Sequence, residues 1–466
     1  MKLNYLKKSV LLLAILLGAS AYAQDKAQGP VVLSLKQAQE YALANNVKSK
    51  NASLDLELAK KKIWETTAIG LPQVNLQASY QHLFTVPELS FGGSTFLTTD
   101  LTGTTPITAQ DILNESVYLG YKAAPALPLG VKDNTTFNFS VSQLLFSGEY
   151  LVGLQASRVF YLMSDQSKIS ADYEIRESVA NTYALALVVE QSYKTLSESL
   201  ANLKKTESEM KEMYQQGFIE NTDVDQIELT YLNLSNAVNA LQRQISATSY
   251  LLKFQLGMPF DTEIILSDNL DAMAGGVTLE SMVTGKFDVK QNITFQMLET
   301  QEKLGSLNLK REMSGYLPNI AAVYQHTEKT NKPEFDFNPK DVLAVSLNLP
   351  LFTSGQRHVK VQQRRIELEK VTNTKDDLAN GLQLEYKNTT DQLANTYESY
   401  VNSKKNVELT DRIYEKTLIK YKEGLSTSMD LTRALDQNLT ARRDYYTAIY
   451  NLLSAKNKLD KLTNKL

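Results

Sequence analysis

Two passages, SGEYLVGLQASRVF at residues 147–160 and TESEMKEMYQQG at residues 206–217, are the ends of one stretch whose reading decides the fold. Between Gly153 and Gly217 neither glycine nor proline occurs, so nothing there breaks a helix. A counterpart opens with TSGQRHVKVQQ at residues 353–363, closes with IYEKTLIKYKEG at residues 413–424, and contains only Gly381. Each predicts a helix of some 60 residues, roughly 90 Å at ~1.5 Å per residue. Val179, Tyr183, Ala186, Val189, Tyr193, Leu196, Leu200 and Leu203 recur every third or fourth position in the first. Tyr386, Leu393, Tyr397, Tyr400, Val407, Tyr414, Leu418 and Tyr421 form the seam of the second. Such seams pack in coiled-coil fashion on neighbouring helices. A compact domain has no use for that length, whereas a tube crossing an aqueous compartment does.

Outward from these helices the chain reads as a tandem repeat. Ser34 is an N-cap for LKQAQEYALANN, whose helix ends before Gly70-Leu71-Pro72. In residues 73–84, Val74, Leu76, Ala78, Tyr80, His82 and Phe84 alternate with polar residues, which predicts a strand with one apolar face. Residues 85–135 are rich in Gly, Thr, Ser and Pro and read as a loop. A second alternating strand covers residues 136–146, and Ser147-Gly148 opens the first long helix. Gly217 ends it, and a further helix runs over residues 222–256 to Gly257-Met258-Pro259. After a less regular segment the order returns, with a helix over residues 289–313 and then Gly315-Tyr316-Leu317-Pro318. Tyr324-Gln325-His326 echoes Tyr80-Gln81-His82, Leu351-Phe352 echoes Leu145-Phe146, and Ser354-Gly355 echoes Ser147-Gly148. Tyr421-x-x-Gly424 matches Tyr214-x-x-Gly217, and a last helix covers residues 428–462.

The first 23 residues read as a secretory leader: Lys2, Lys7 and Lys8, an apolar run over residues 10–17, then Ala21-Tyr22-Ala23. Without them the chain carries 46 Lys and Arg against 52 Asp and Glu, net −6, which excludes a nucleic-acid surface. There is no cysteine, hence no disulfide, thiolate metal site or acylated N-terminal cysteine. No other run approaches the ~20 apolar residues of a spanning helix. No Walker A loop, G-x-S-x-G, H-E-x-x-H or EF-hand loop occurs, so neither an enzyme nor a cofactor is expected.

Four amphipathic strands of about ten residues match a tilted bilayer crossing of ~9–11 residues. An open sheet edge is untenable in lipid, and four strands cannot close where the smallest single-chain barrels have about eight. A membrane reading therefore requires several copies contributing four strands each, in contact with lipid. The other reading is a soluble sheet with its apolar face packed on helices, as in an exported structural or adhesive coiled-coil protein without a pore.

This arrangement resembles the TolC family of outer-membrane efflux and secretion channels. LSLKQAQEYALANN, GLPQVNLQASYQ, SQLLFSG, LGMP, YLPNIAAVYQ, LNLPLFTSG and the two tyrosine–glycine turns carry the resemblance, from about Ser34 to Leu462. It implies a mostly α fold with a membrane β-barrel: a homotrimer sharing a 12-stranded barrel and a periplasmic α-helical tunnel. Residues 73–146 and 319–352 would supply strands and exterior loops. Residues 34–69, 148–257, 289–314 and 355–463 would form the tunnel, with 258–288 as an equatorial connection. The implied partners are a periplasmic adaptor protein and an inner-membrane transporter; the implied role is passive export without chemistry. The adaptor would contact Gly217, Phe218, Gly424 and Leu425. Asp223 and Asp430 would constrict the periplasmic tip, with Tyr421 bonded to Asp223. Departures from the family pattern are Arg433, where a second constriction aspartate is expected, and Ser426, where a gating arginine is expected.

Several of these residues have a plainer reading. Asp223 and Asp430 lie in the first turn of a helix, where a carboxylate meets the macrodipole. Tyr214 and Tyr421 can be the last residues of their seams. His82 and His326 suit an interfacial aromatic girdle better than a metal site. Glu207, Glu209 and Glu212 read as a solvated helix face.

Overall fold

A computed structural model describes residues 30–89, 92–98, 108–113, 118–122, 126–277, 287–333 and 336–466. The leader expected at residues 1–23 lies outside the described residues, as do parts of the 85–135 loop and of the 258–288 connection. In chain order the elements are β1 (Val31–Leu33), α1 (Leu35–Asn45), α2 (Val47–Ala68), β2 (Gln73–His82), β3 (Asp133–Ser147), α3 (Gly148–Gln215), α4 (Asn221–Leu256), β4 (Ile264–Leu266), α5 (Leu270–Gly275), α6 (Ile293–Ser314), β5 (Asn319–Lys329), β6 (Asp341–Asn348), α7 (Gln356–Lys422) and α8 (Ser428–Leu462). The long helices have 68 and 67 residues. Within residues 85–135, expected as a loop, Glu88–Leu89 pairs with Leu127–Pro128 and Ser94–Thr98 with Tyr118–Lys122. The first hairpin is thus prolonged by strand pairs of its own.

The chain divides into two units. One comprises the described residues of Met1–Leu58, Leu162–Gln301 and Val371–Leu466 and is almost wholly helical. Its main core gathers Val179, Tyr183 and Leu187 of α3, Ala38 and Ala42 of α1, Leu252 and Leu256 of α4, Leu393 and Tyr400 of α7, and Ile449 and Leu452 of α8. The small residues of α1 allow close approach, and the first part of the α3 seam predicted from the sequence faces this core, with Val179 and Tyr183 fully buried, whereas Leu196, Leu200 and Leu203 further along it join a separate core. The Tyr183 hydroxyl donates to the Leu33 carbonyl at 2.9 Å, tying α3 to the parallel pair β1–β4. The Asp268 carboxylate accepts the Leu35 N–H at 2.6 Å and so helps satisfy the start of α1. Ser34 caps that helix as expected, in a reciprocal capping box with Gln37.

The helix expected over residues 34–69 is two helices. Asn46 ends α1, then accepts the Lys48 N–H at 2.7 Å and donates to the Gln255 carbonyl at 2.6 Å, starting α2 in a new direction.

The other unit comprises Ala59–Tyr161 and Glu302–Lys370 and holds the four-stranded antiparallel sheet, in the order β6-β5-β3-β2. Val74 pairs with Val141, Val141 with Tyr324, and Tyr324 with Leu343, so apolar residues line up across all four strands. The next row is polar in three strands, Asn75, Ser140 and Gln325, and ends in Val342 on β6, where Ser346 and Asn348 lie further along beside Ala321 and Asn319. Val74, Leu76, Tyr80, Leu343, Val345 and Leu347 are exposed in the isolated chain. Among the described residues the sheet does not close on itself, and β2 and β6 are its edges.

Both hairpins keep one register relative to the Leu-Pro and Leu-Phe echoes. Val74, three residues after Leu71, faces Val141, as Ile320, three after Leu317, faces Leu347. The Tyr-Gln-His echo is therefore displaced by one two-residue step along the second hairpin.

Candidate functional site

The site expected from the sequence is the pair of helix turns at Gly217 and Gly424. Both glycines adopt left-handed backbone, φ 78° and 73°, where a side chain is strained. At the first turn the Phe218 N–H donates to the Met213 carbonyl and the Gly217 N–H to Tyr214, both at 2.9 Å. At the second, Leu425 donates to Lys420 at 2.8 Å and Gly424 to Tyr421 at 3.0 Å. These are two Schellman motifs, which satisfy the last carbonyls of α3 and α7. The apolar residue after each glycine usually packs back on its helix. Here Phe218 and Leu425 are 75% and 77% exposed.

The next helices begin alike, each with an aspartate in its first turn that accepts the N–H of the residue before the helix. Asp430 accepts from the Thr427 hydroxyl at 2.7 Å and the Thr427 N–H at 3.2 Å, while its own N–H donates to the Thr427 hydroxyl at 3.1 Å. The Thr427 hydroxyl, followed by its amide, holds Asp430 below the usual carboxylate range. Asp223 accepts the Glu220 N–H at 3.3 Å in the same position of α4. The helix-start reading of both aspartates is therefore present in the geometry, whatever else they do.

Between the turns lies a small core of Leu203, Met210, Ile227, Leu234, Tyr421, Leu431 and Leu435, contributed by α3, α4, α7 and α8. Tyr421 is 8% exposed, whereas its counterpart Tyr214 is 45% exposed, so only the second is a buried seam residue. The bond implied between Tyr421 and Asp223 is not the one formed. Asp223 accepts instead from the hydroxyl of Ser428, a buried residue in the first turn of α8. The Tyr421 hydroxyl is buried without a hydrogen-bond partner. Burial, and secondly the charge of Asp223, push the Tyr421 phenol up to about 12. Asp223 and Ser428 thus join the first repeat to the second across the tip core.

Glu207, expected on a solvated face, is buried beside this core. Lys211 donates to it at 2.7 Å and Lys204 at 3.0 Å, and Lys211 also reaches Glu228 of α4 at 3.2 Å. Burial pushes the carboxyl up, but the two lysines outweigh it and hold Glu207 below its ordinary value. A second polar tie, missed in the sequence, is Asp411 of α7 with Arg442 of α8 at 2.7 Å and Asn438 at 2.5 Å. Alongside it runs an open groove of about 700 Å³ lined by Leu409, Ile413, Met429, Arg433 and Asp436. Arg433 and Asp430 are both exposed, so the α8 end of the site presents charge of both signs.

On the sheet, the two histidines occupy matching environments. Asp133 Oδ1 lies 2.6 Å from His82 Nδ1 and accepts from the Tyr80 hydroxyl at 2.7 Å. Asp341 Oδ1 lies 2.7 Å from His326 Nδ1 and accepts from the Tyr324 hydroxyl at 2.7 Å. Each trio sits at the far end of its hairpin from the Leu-Pro turn. Among the described residues no group of three His, Cys, Asp or Glu could hold a metal ion, and no helix is long and apolar enough to cross a membrane.

No protein-family model matches the sequence, and no curated protein matches it. Solved structures do match. CusC, described in a study of folding and transmembrane channel formation, aligns with TM-score 0.70 at 14% identity, over 95% of each chain. VceC, an outer membrane protein of Vibrio cholerae, aligns with TM-score 0.67 at 15% identity, over 92% of this chain and 95% of its own. The open state of the MtrE outer membrane channel of Neisseria gonorrhoeae aligns with TM-score 0.65 at 14% identity, over 92% and 88%. The fold of this chain is the fold of these outer-membrane proteins.

Proposed function

We propose that this chain is one subunit of a TolC-type outer-membrane channel, a passive export conduit in an efflux or secretion assembly. The observation that carries the reading is the sheet: four antiparallel strands with one apolar face and one more polar face, and no described residue of their own unit covering the apolar rows of the edge strands. Strands of that kind suit lipid on one side and a water-filled lumen on the other. Three copies would give twelve strands and no free edge.

In this reading α3, α4, α7 and α8 form part of the wall of a periplasmic tunnel whose seams hold it together. The turns at Gly217-Phe218 and Gly424-Leu425 present bare apolar side chains to a periplasmic adaptor, which links the channel to an inner-membrane transporter. Asp223, Asp430 and Tyr421 surround the aperture. Opening separates the first repeat from the second at the tip, so it must break the bond between Ser428 and Asp223. The mixed charge of Asp430 and Arg433 makes that aperture less acidic than two rings of aspartate would be.

Fractionation with cross-linking tests the assignment. The chain is expected in the outer membrane as a trimer, with a tag inserted within residues 85–135 open to added protease on intact cells. A monomer in the soluble fraction would overturn the reading.

A further inference from the structure

The polar face of the sheet ends, on the side away from the Leu-Pro turns, in a cavity. The loop of the second hairpin is bonded down onto the first: the Thr330 N–H donates to the Thr135 carbonyl at 2.9 Å, and the Asn331 amide to the Asp133 carbonyl at 2.8 Å. Between that loop and the chain leaving β2 lies a partly open space of about 370 Å³, the size of a small-ligand pocket. Gln81 and Asn134, a cross-strand pair, line it together with Lys329, which lies on the same polar face opposite Thr136. The Lys329 ammonium donates to both oxygens of Asp336, at 2.8 and 3.0 Å, and the two side chains are only 15% and 20% exposed. The Asn338 N–H adds a bond to Asp336 Oδ1 at 3.2 Å. Asn134 Oδ1 is buried without a donor. Leu83, Val131 and Pro333 supply an aliphatic wall, and Phe337, also in the lining, is 84% exposed.

We propose that this cavity is a subsite for a saccharide ring, placed at the outer mouth of the lumen. Its place at a mouth rests on the channel reading; the cavity itself does not. Lys329 and Asp336 neutralise each other, so a simple anion or cation meets no uncompensated charge there. An apolar guest would take water from the amides and the ion pair and give nothing back. A ring carrying several hydroxyls satisfies both halves of the lining. Each hydroxyl donates and accepts, which suits carboxylate, ammonium and amides alike, while the C–H face of the ring lies on the electron-rich face of Phe337 and on the aliphatic wall. A small turn of the Asn134 amide lets a ring hydroxyl supply the donor that its Oδ1 lacks, and Asp336 Oδ2 keeps a lone pair for a second hydroxyl. Two sources share this chemistry: a glycan of the cell surface, and a sugar-bearing solute leaving through the lumen.

Saturation-transfer NMR on the full-length protein tests the site, in a zwitterionic detergent because the headgroup of a maltoside detergent is itself a sugar. The probes are maltose, cellobiose, lactose and chitobiose. At least one is expected to receive saturation from the protein, and to bind about 10-fold more weakly to Asp336→Asn and to Phe337→Ala. Phe337 is exposed, so its substitution is expected to leave the thermal midpoint unchanged and keeps the test valid should Asp336→Asn disturb the loop. No transfer to any probe, or transfer unaltered in Phe337→Ala, would overturn the site. Purified outer-membrane glycolipid that displaces the bound disaccharide assigns the site to a surface glycan. Disaccharide that interrupts single-channel current, while glycolipid fails to displace it, assigns the site to cargo. Saccharide binding by protein that gives no conductance would keep the site and overturn its place in a lumen. Conductance without saccharide binding would overturn the site and leave the channel standing.

Discussion

Replacing Ser428 by alanine loosens the tip, and replacing Tyr421 by phenylalanine leaves it closed. Ser428 is buried and donates to the carboxylate of Asp223. A hydrogen bond to a charged group contributes ~1.5–3 kcal/mol, and partial exposure of Asp223 lets water replace some of it, leaving about 1–2 kcal/mol. Tyr421 is as buried, but its hydroxyl has no partner. Removing it deletes an unsatisfied buried group, so the cost is near zero or slightly favourable. Hydrogen exchange measured by mass spectrometry on peptides spanning the Phe218 and Leu425 amides, which close the two turns, reads the difference. One to two kcal/mol corresponds to about a 5–30-fold faster exchange for Ser428→Ala, against less than about 3-fold for Tyr421→Phe. A double-mutant cycle with Asp223→Ala assigns the coupling to the pair. Tenfold faster exchange in Tyr421→Phe, with no change in Ser428→Ala, would refute the reasoning and restore the Tyr421–Asp223 bond implied by family resemblance.

Other expectations rest on separate features. Gly424→Ala, at φ 73°, costs about 1–2 kcal/mol and shows as faster exchange at Leu425; Gly217→Ala acts likewise at Phe218. Glu207→Ala strips two lysines of their acceptor beside the tip core and lowers the thermal midpoint of the detergent-solubilised protein, at about 1–2 kcal/mol because both lysines can turn to water. Because the Tyr421 phenol is raised to about 12, its contribution is complete below its unfolded value of ~10 and is lost as pH climbs from there towards about 12. Tip exchange should therefore quicken in that window in the wild type and less so in Tyr421→Phe. If the apolar face meets lipid as proposed, Val345→Arg costs up to ~2–4 kcal/mol and reduces assembled protein on unheated gels, while Ser346→Arg on the opposite face is tolerated.

What the sequence disclosed was whatever is written locally. Ser34, Asp430, Gly217 and Gly424 each mark a helix end by their own residue type, and the structure places the ends there. The tandem order was legible because each repeat spells its turns in similar words. Asn46 was missed because asparagine inside an amphipathic run carries no breaker signal; its role depends on the Gln255 carbonyl, far along the chain. Ser428 was passed over for Tyr421, since the partner of Asp223 is chosen by how α4 and α8 pack, not by spacing. Glu207 looked solvated because Lys204 and Lys211 at three and four residues are typical of an exposed face. The pairing was visible and the burial was not. The exact repeat offset was also hidden: two echoes agree with the hairpin register and the Tyr-Gln-His echo does not.

The central claim is that water and solutes pass through an assembly of this chain. Single-channel recording of the purified full-length protein in planar bilayers tests it most directly. Discrete conductance steps are expected, larger or more frequent in Ser428→Ala than in the wild type. Protein that inserts into the bilayer yet gives no steps, in the wild type and in Ser428→Ala alike, would contradict the account.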